Sequence, residues 1–240
     1  MTRQRIRTYV DGLDDIMRGG IPEGQVVLVS GLPGTMKSSL TYSILYHNAV
    51  HEGKGSVYVS LEQTRASLEG QMGGMGFAES AGEARVSVAD LASLRKQLGR
   101  GRAPVWRDFL RRAVETRSRI RPFALLVLDS LEALEVLGGF REPRADLFEL
   151  FEWLRGLGAT SFVLTETPPE SVLMPGDADH GNDAGYLADG IIHLKMHQVS
   201  DVTIQRRLRV VKMRETAHET HYMALVLEHG KFSVAPALSV

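Results

Sequence analysis

Short runs of apolar and β-branched residues alternate along the chain with stretches whose apolar positions recur at helical spacing. The runs are Val26 to Ser30, Ser56 to Leu61, Phe123 to Leu128, Ser161 to Thr165 and Ile191 to Leu194. Between the first two, Ser38 to His51 places Leu40, Ile44, Leu45 and Ala49 on one helical face, and Gly53 supplies a stop signal. Arg107 to Arg119 and Asp146 to Leu157 read as helices ahead of the third and fourth runs. This order predicts an α/β fold with a central, mostly parallel sheet flanked by helices. Past Ile191 the pattern changes: Arg206 to Met213, Ala224 to Glu228 and Phe232 to Val234 look like strands joined by short loops, an antiparallel extension at the C-terminal side. No internal repeat is visible, Ala89 to Pro104 is the one stretch loose enough for a flexible excursion, and residues 1–240 read as a single domain.

Composition adds mainly exclusions. The 240 residues suffice for one sizeable core, and 43% hydrophobic with 24% charged residues is ordinary for a soluble globular protein. A formal net charge of -1 gives no overall attraction to nucleic acid or to an anionic membrane, so a polyanion partner would need a local basic patch. The absence of cysteine removes disulfides and thiolate metal sites and fits a cytoplasmic setting. Met1 to Tyr9 is polar and arginine-rich with no apolar segment behind it, and no stretch approaches the roughly 20 apolar residues of a membrane span, so neither a signal peptide nor a transmembrane helix is expected.

The chemistry concentrates where the first strand meets the first long helix. Gly31-Leu32-Pro33-Gly34-Thr35-Met36-Lys37-Ser38 has the strand-loop-helix context of a phosphate-binding P-loop. Glycines let the backbone wrap an anion, the N–H groups of the helix start through Ser39 bind it, Lys37 reaches the β- and γ-phosphates, and the Ser38 hydroxyl ligates Mg²⁺. Met36 breaks the pattern, because a glycine normally precedes the lysine. If the backbone there has a positive φ, methionine costs about 1–2 kcal/mol of strain.

Two strand ends supply carboxylates. Asp129 closes the apolar run Phe123 to Leu128, which places it at the sheet's carboxyl edge as a metal ligand or, alternatively, as a helix cap together with Ser130. Glu62 follows Ser56 to Leu61 and could orient an attacking water, or serve as a cap or a solvated loop charge. Thr165 and Glu166 end the fourth run in the same way and could sense a γ-phosphate.

With these elements in order, nearly the whole chain resembles the KaiC family of ATPases within the RecA and DnaB superfamily. Asp11-Gly12-Leu13-Asp14-Asp15 through Gly19-Gly20-Ile21-Pro22-Glu23-Gly24 looks like that family's opening segment, and Leu187-Ala188-Asp189-Gly190-Ile191-Ile192 and Lys212-Met213-Arg214-Glu215-Thr216-Ala217-His218 look like its late signatures. The resemblance implies a RecA-like P-loop NTPase fold, ATP and Mg²⁺ as ligands, and a homo-oligomeric, commonly hexameric, ring. It implies that Lys212 and Arg214 reach a γ-phosphate bound by the neighbouring subunit. Their alternation along a strand would point both to one face, although a charged edge strand that discourages aggregation is the other reading. Met213, Thr216, His218 and Gly74 match family positions near the nucleotide. The chain departs from the family in having Glu62-Gln63 in place of paired glutamates and Glu215 where a glycine is usual, and autokinase activity is not carried over.

Two other functions fit the same core. A RecA- or RadA-like recombination factor would hold DNA in the ring's channel, but the loop Pro168 to Tyr186 carries Glu170, Asp177, Asp179 and Asp183 without Lys or Arg, so nucleic acid is not favoured. The one basic concentration, Arg95, Lys96, Arg100, Arg102, Arg107, Arg111 and Arg112, suits nucleic acid, an acidic protein partner or water alone. A non-hydrolysing switch that assembles on ATP would account for Met36. A regulatory or signalling ATPase, with protein partners left open, is the expectation.

Overall fold

The computed structural model describes residues 3–77, 86–91, 106–120, 122–166 and 183–237. Its eleven described strands are β1 (Arg5–Ile6), β2 (Ile21–Pro22), β3 (Val26–Ser30), β4 (Ser56–Ser60), β5 (Val86–Asp90), β6 (Leu125–Asp129), β7 (Thr160–Thr165), β8 (Gly190–Gln198), β9 (Ile204–Met213), β10 (Met223–Glu228) and β11 (Lys231–Pro236). The described helices are α1 (Leu13–Ile16), α2 (Lys37–Glu52), α3 (Arg65–Gly74), α4 (Trp106–Ile120), α5 (Leu131–Gly138), α6 (Pro143–Gly156) and α7 (Asp183–Leu187).

Nine strands form one sheet in the order β11-β10-β9-β8-β3-β7-β6-β4-β5. From β5 to β8 every pairing is parallel, and β9, β10 and β11 continue it antiparallel. The sequence reading of a parallel sheet with an antiparallel extension therefore holds. Strands β3, β4 and β7 are buried at every position because helices cover both faces, so they read as continuous apolar runs rather than alternating ones. One face packs Val27, Val29, Tyr58 and Phe162 under α2 and α3, and the other packs Val26, Leu28, Val59 and Val163 under α4, α5 and α6.

Helix ends follow local chemistry. Gly53 terminates α2 in the left-handed conformation, Pro143 opens α6 at its first turn, and Thr64 and Ser130 cap α3 and α5 by accepting from Ser67 N and Ala133 N. One boundary is corrected. Ala89 and Asp90, grouped on sequence grounds with a loose excursion, belong to edge strand β5, whose apolar positions are interrupted by exposed Ser87 and end at Asp90, so no continuous apolar run marks it. The remainder of that excursion from residue 92 lies outside the described residues, as do Arg95, Lys96, Arg100, Arg102 and residues 168–182 of the acidic loop. No described helix is long and apolar enough to cross a membrane.

Phe162 is fully buried at the centre of β7. Phe162→Ala is expected to lower stability by about 3–5 kcal/mol through the cavity it leaves, measured by urea unfolding.

Candidate functional site

The loop between β3 and α2 is shaped by backbone conformations that side chains resist. Gly31 has φ 151°, and a Cβ there would lie 2.3 Å from the Leu194 carbonyl oxygen, so only glycine fits against β8. Gly34 and Met36 both have positive φ, 83° and 74°. Met36 thus carries the left-handed strain that its place in the loop implied, while its side chain packs against the core under α2. No side chain caps α2 and no acidic residue lies in its first turn, so the N–H groups of Lys37, Ser38 and Ser39 remain an anion-binding helix start. Thr35 is buried and donates from Oγ1 to the Leu32 carbonyl at 2.8 Å, which ties the loop to itself.

Lys37 donates from Nζ to the Gly31 carbonyl at 2.5 Å and the Leu32 carbonyl at 3.3 Å, spanning the concave side of the loop. Burial pulls its pKa down, opposed by the carboxylates of Glu166, Asp129, Glu132 and Glu62. One ammonium thus faces four carboxylates, an excess of negative charge that suits a divalent cation.

Asp129 ends β6 beside the loop. Its Oδ2 accepts from Ser38 Oγ at 2.8 Å and from Tyr58 OH at 2.5 Å, so it is held toward the loop and the cap of α5 falls to Ser130. Burial raises the Asp129 pKa, countered by those two hydrogen bonds, and burial with the Asp129 carboxylate pushes the Tyr58 hydroxyl far above its usual value. Glu62 accepts a short hydrogen bond from Ser130 Oγ, while Thr64 caps α3, so Glu62 is not that helix's cap. The peptide bond between Asp129 and Ser130 is cis. Hydroxyl and carboxylate oxygens are the hard donors Mg²⁺ prefers. Among the described residues no group of three or more His, Cys, Asp or Glu side chains converges on one point, so phosphate and water would complete the coordination.

Thr165 and Glu166 reach the same edge. Both are tied to Glu132, which accepts from Thr165 Oγ1 at 2.5 Å and from the Glu166 N–H at 2.7 Å.

Lys212 and Arg214 lie at the opposite edge. The Arg214 N–H donates to the Asp189 carbonyl, and the Asp189 carboxylate accepts from Val26 N–H at the start of β3, whereas Lys37 follows the end of that strand. The length of β3 separates the two sets by roughly 15 Å. A β-bulge shifts the β8–β9 register, pairing Ile191 with Lys212 and Ile192 with Val210. Both cations still meet the segment 185–189. Thr216 donates to the Met17 carbonyl, and His218 contacts the Thr216 carbonyl, beside the opening segment at this same edge. The Met213 side chain is core, packed against Gly190. Gly74 ends α3 close to Phe77, whose ring packs on Tyr46 and His47, about 15 Å along α2 from Lys37. The chain thus brings Gly31, Gly34, Thr35, Met36, Lys37, Ser38, Ser39, Glu62 and Asp129 together, and keeps Gly74, Lys212, Met213, Arg214, Thr216 and His218 away from them.

The family model for the KaiC ATPase matches residues 6–239. The chain belongs to the KaiC family. It is 30% identical to a UPF0273 protein of Thermotoga maritima over 90% of this chain and 89% of that one, and 33% identical to a UPF0273 protein of Pyrobaculum aerophilum over 98% and 83%. The circadian clock protein KaiC2 of Synechocystis is 26% identical over 97% of this chain, which spans 40% of that protein's length. The crystal structure of a KaiC-like protein from Pyrococcus horikoshii superposes with a TM-score of 0.79 at 25% identity, covering 98% of this chain and 100% of that one.

Four contacts of this KaiC-family site were not singled out from sequence. Tyr58 holds Asp129, Ser130 holds Glu62, Glu132 gathers the end of β7, and Arg206 Nε reaches the Gly34 carbonyl at 3.3 Å. Only Tyr58 left a signal, since the hydroxyl of a tyrosine in a buried strand needs a partner. Beneath the loop, the fully buried His193 pairs through Nδ1 with Ser30 Oγ at 2.8 Å. Burial, with Lys195, Arg209 and Lys37, lowers its pKa to about 4.

Met36→Ile adds β-branching at positive φ and is expected to lower stability by about 1–2 kcal/mol, whereas Met36→Gly trades relieved strain for lost packing and stays within about 1 kcal/mol of the parent, both read by urea unfolding. For His193 the folded pKa lies below the unfolded one. Its contribution is therefore complete above the unfolded value of about 6.5 and is lost as pH falls toward 4, at on the order of 1 kcal/mol per pH unit. Unfolding midpoints taken from pH 7 to 4 should fall less steeply for His193→Asn than for the parent chain, and equal slopes would contradict the assignment.

Proposed function

We propose that this chain binds Mg-ATP at the carboxyl edge of its sheet and hydrolyses it at interfaces between subunits of a cytoplasmic ring, with the whole of residues 1–240 acting as one ATPase domain. The observation that carries this reading is the placement of Lys37 and of Lys212 with Arg214 at opposite ends of one short strand. Cations at the far edge cannot complete their own chain's phosphate site, and a neighbour stacked edge to edge would present them to it.

Within one chain the uncapped start of α2, the Gly31 to Ser38 loop and Lys37 take the β- and γ-phosphates. Ser38 and Asp129 would hold a Mg²⁺ ion, which when bound neutralises phosphate charge. Tyr58 keeps the Asp129 carboxylate turned toward the loop. Glu62, with Oε1 fixed by Ser130, has its second oxygen available to take a proton from the attacking water. Thr165 and Glu166, tied together by Glu132, sit where the γ-phosphate would be sensed. Lys212 and Arg214 from the neighbour stabilise the charge that develops, an effect worth about 10³–10⁵ in rate for an arginine finger. Thr216, His218 and Met213 accompany those cations to the neighbour's nucleotide, and Gly74 sits outside the P-loop pocket of its own chain. Six subunits are carried over from the resemblance to KaiC-family rings, and a regulatory role is suggested by the circadian clock protein among the relatives.

Sizing the protein with and without Mg-ATP while phosphate release is followed should show a ring that forms on ATP and turns it over. A ring that forms and releases no phosphate would make the chain an assembly switch instead. Glu62→Gln should abolish release while fluorescent-ATP binding is kept, and undiminished turnover would remove Glu62 as the base.

A further inference from the structure

The two far-edge cations are held very differently. Arg214 is pinned at its backbone twice, its N–H donating to the Asp189 carbonyl at 2.9 Å and its carbonyl accepting from Gln25 Nε2 at 2.8 Å. Its guanidinium gives one N–H to Asp189 Oδ1 at 2.8 Å, and the side chain stays 51% exposed. Most of its five donors are left for another anion. Lys212 has its three N–H groups set against three carbonyls, of Ala188 at 2.6 Å, Gly185 at 3.3 Å and Tyr186 at 3.4 Å, around the last turn of α7. Arg214 is ready to receive a phosphate, and Lys212 would have to leave its carbonyls first.

The Asp189 carboxylate is itself oriented by a third cation. Arg155, from the last turn of α6, donates through Nε to Oδ2 and through Nη2 to Oδ1, both at 3.3 Å, and makes a short hydrogen bond to the Leu187 carbonyl. Val26 N–H occupies Oδ2 at 3.0 Å. The carboxylate is thus fixed from two sides and is only 11% exposed. Arg155 also gives Nη1 to Glu152 at 2.9 Å, so two carboxylates, Asp189 and Glu152, stand against Arg155, Arg214 and Lys212, and one positive charge is left in excess, on the side of the exposed Arg214. That is the chemistry of a group prepared for a phosphate and incomplete without one.

We propose that Asp189 and Arg155 are positioning residues for the Arg214 finger: Arg155 fixes the Asp189 carboxylate, and Asp189 aims the exposed half of the guanidinium at the phosphate of the adjoining subunit. This rests on the trans-finger reading above. Asp189 also anchors β3 to β8 through its N–H to the Val26 carbonyl and its carboxylate to the Val26 N–H, so replacing it would disturb the sheet. Arg155→Met spares that anchor and carries the test.

The experiment uses the assembled chain of residues 1–240. Arg155→Met should lower kcat for phosphate release roughly ten- to a hundredfold with fluorescent-ATP affinity close to the parent, since misplacing a group by about 1 Å costs on this order, while the lost pair with Asp189 lowers the melting temperature by a few degrees without unfolding the assembled chain. Co-assembly with Lys37→Ala chains, which keep their own Arg155 and Arg214 but lack the phosphate lysine, should restore release to Arg155→Met chains, because the intact finger then arrives from the neighbour. Arg214→Ala is run alongside. If Arg214→Ala turns over like the parent, the finger reading itself fails. If Arg214→Ala is inactive while Arg155→Met turns over normally, the finger stands and the dock is overturned. Loss of ATP binding in Arg155→Met, or failure of Lys37→Ala chains to restore release while they do restore Arg214→Ala, would likewise overturn the positioning role.

Discussion

An uncapped helix start pressed against the end of a buried strand is the constraint to which the rest of the site is fitted. The first turn of α2 has no side-chain cap, and the loop before it carries left-handed backbone strain at Met36. Such an arrangement is stabilised by an anion and by little else. Lys37, Asp129 and Ser38 surround that position, and the carboxylates of Glu62, Glu132 and Glu166 make the surroundings too negative for a bare phosphate. A phosphate that brings its own divalent cation satisfies both conditions.

The second consequence comes from the shortness of β3. The five residues of β3 run from Val26, where the Asp189 carboxylate is bound, to the loop at the other end. Because the same strand fixes both ends, the phosphate grip and the far-edge cations are held a set distance apart at its opposite ends. A closed ring of identical subunits joined head to tail uses such a surface pair, each site completed by the next chain. The KaiC-family assignment and the match to a KaiC-like archaeal structure support the fold that sets this spacing.

What could be read from sequence was whatever depends on chain neighbours. The glycine loop lies between a strand and a helix, Asp129 and Glu62 stand one residue beyond apolar runs, and the change of pattern after Ile191 announced the antiparallel strands. Sequence order could not decide which of two neighbouring polar residues caps a helix. Ser130 and Thr64 take that role, and this frees Asp129 and Glu62 for the site. Contacts made across the sheet were equally hidden. Tyr58 reaches Asp129 only because β4 pairs with β6, and Arg155 meets Asp189 only because α6 ends beside the entry to β8. β5 is no shorter than β3 or β4, but its apolar positions are broken by exposed Ser87 and end at Asp90, so it lacked the continuous apolar run that marked them.

The claim beneath all of this is that one triphosphate is gripped by Lys37 of one chain and touched by Arg214 of the next. Its most direct test is a structure of the assembled protein with magnesium and a non-hydrolysable ATP analogue. The account predicts the β- and γ-phosphates on the N–H groups of the Gly31 to Ser38 loop and a neighbour's Arg214 guanidinium within hydrogen-bonding distance of the γ-phosphate. An analogue bound elsewhere, or a γ-phosphate with no cation from an adjoining chain, would contradict it.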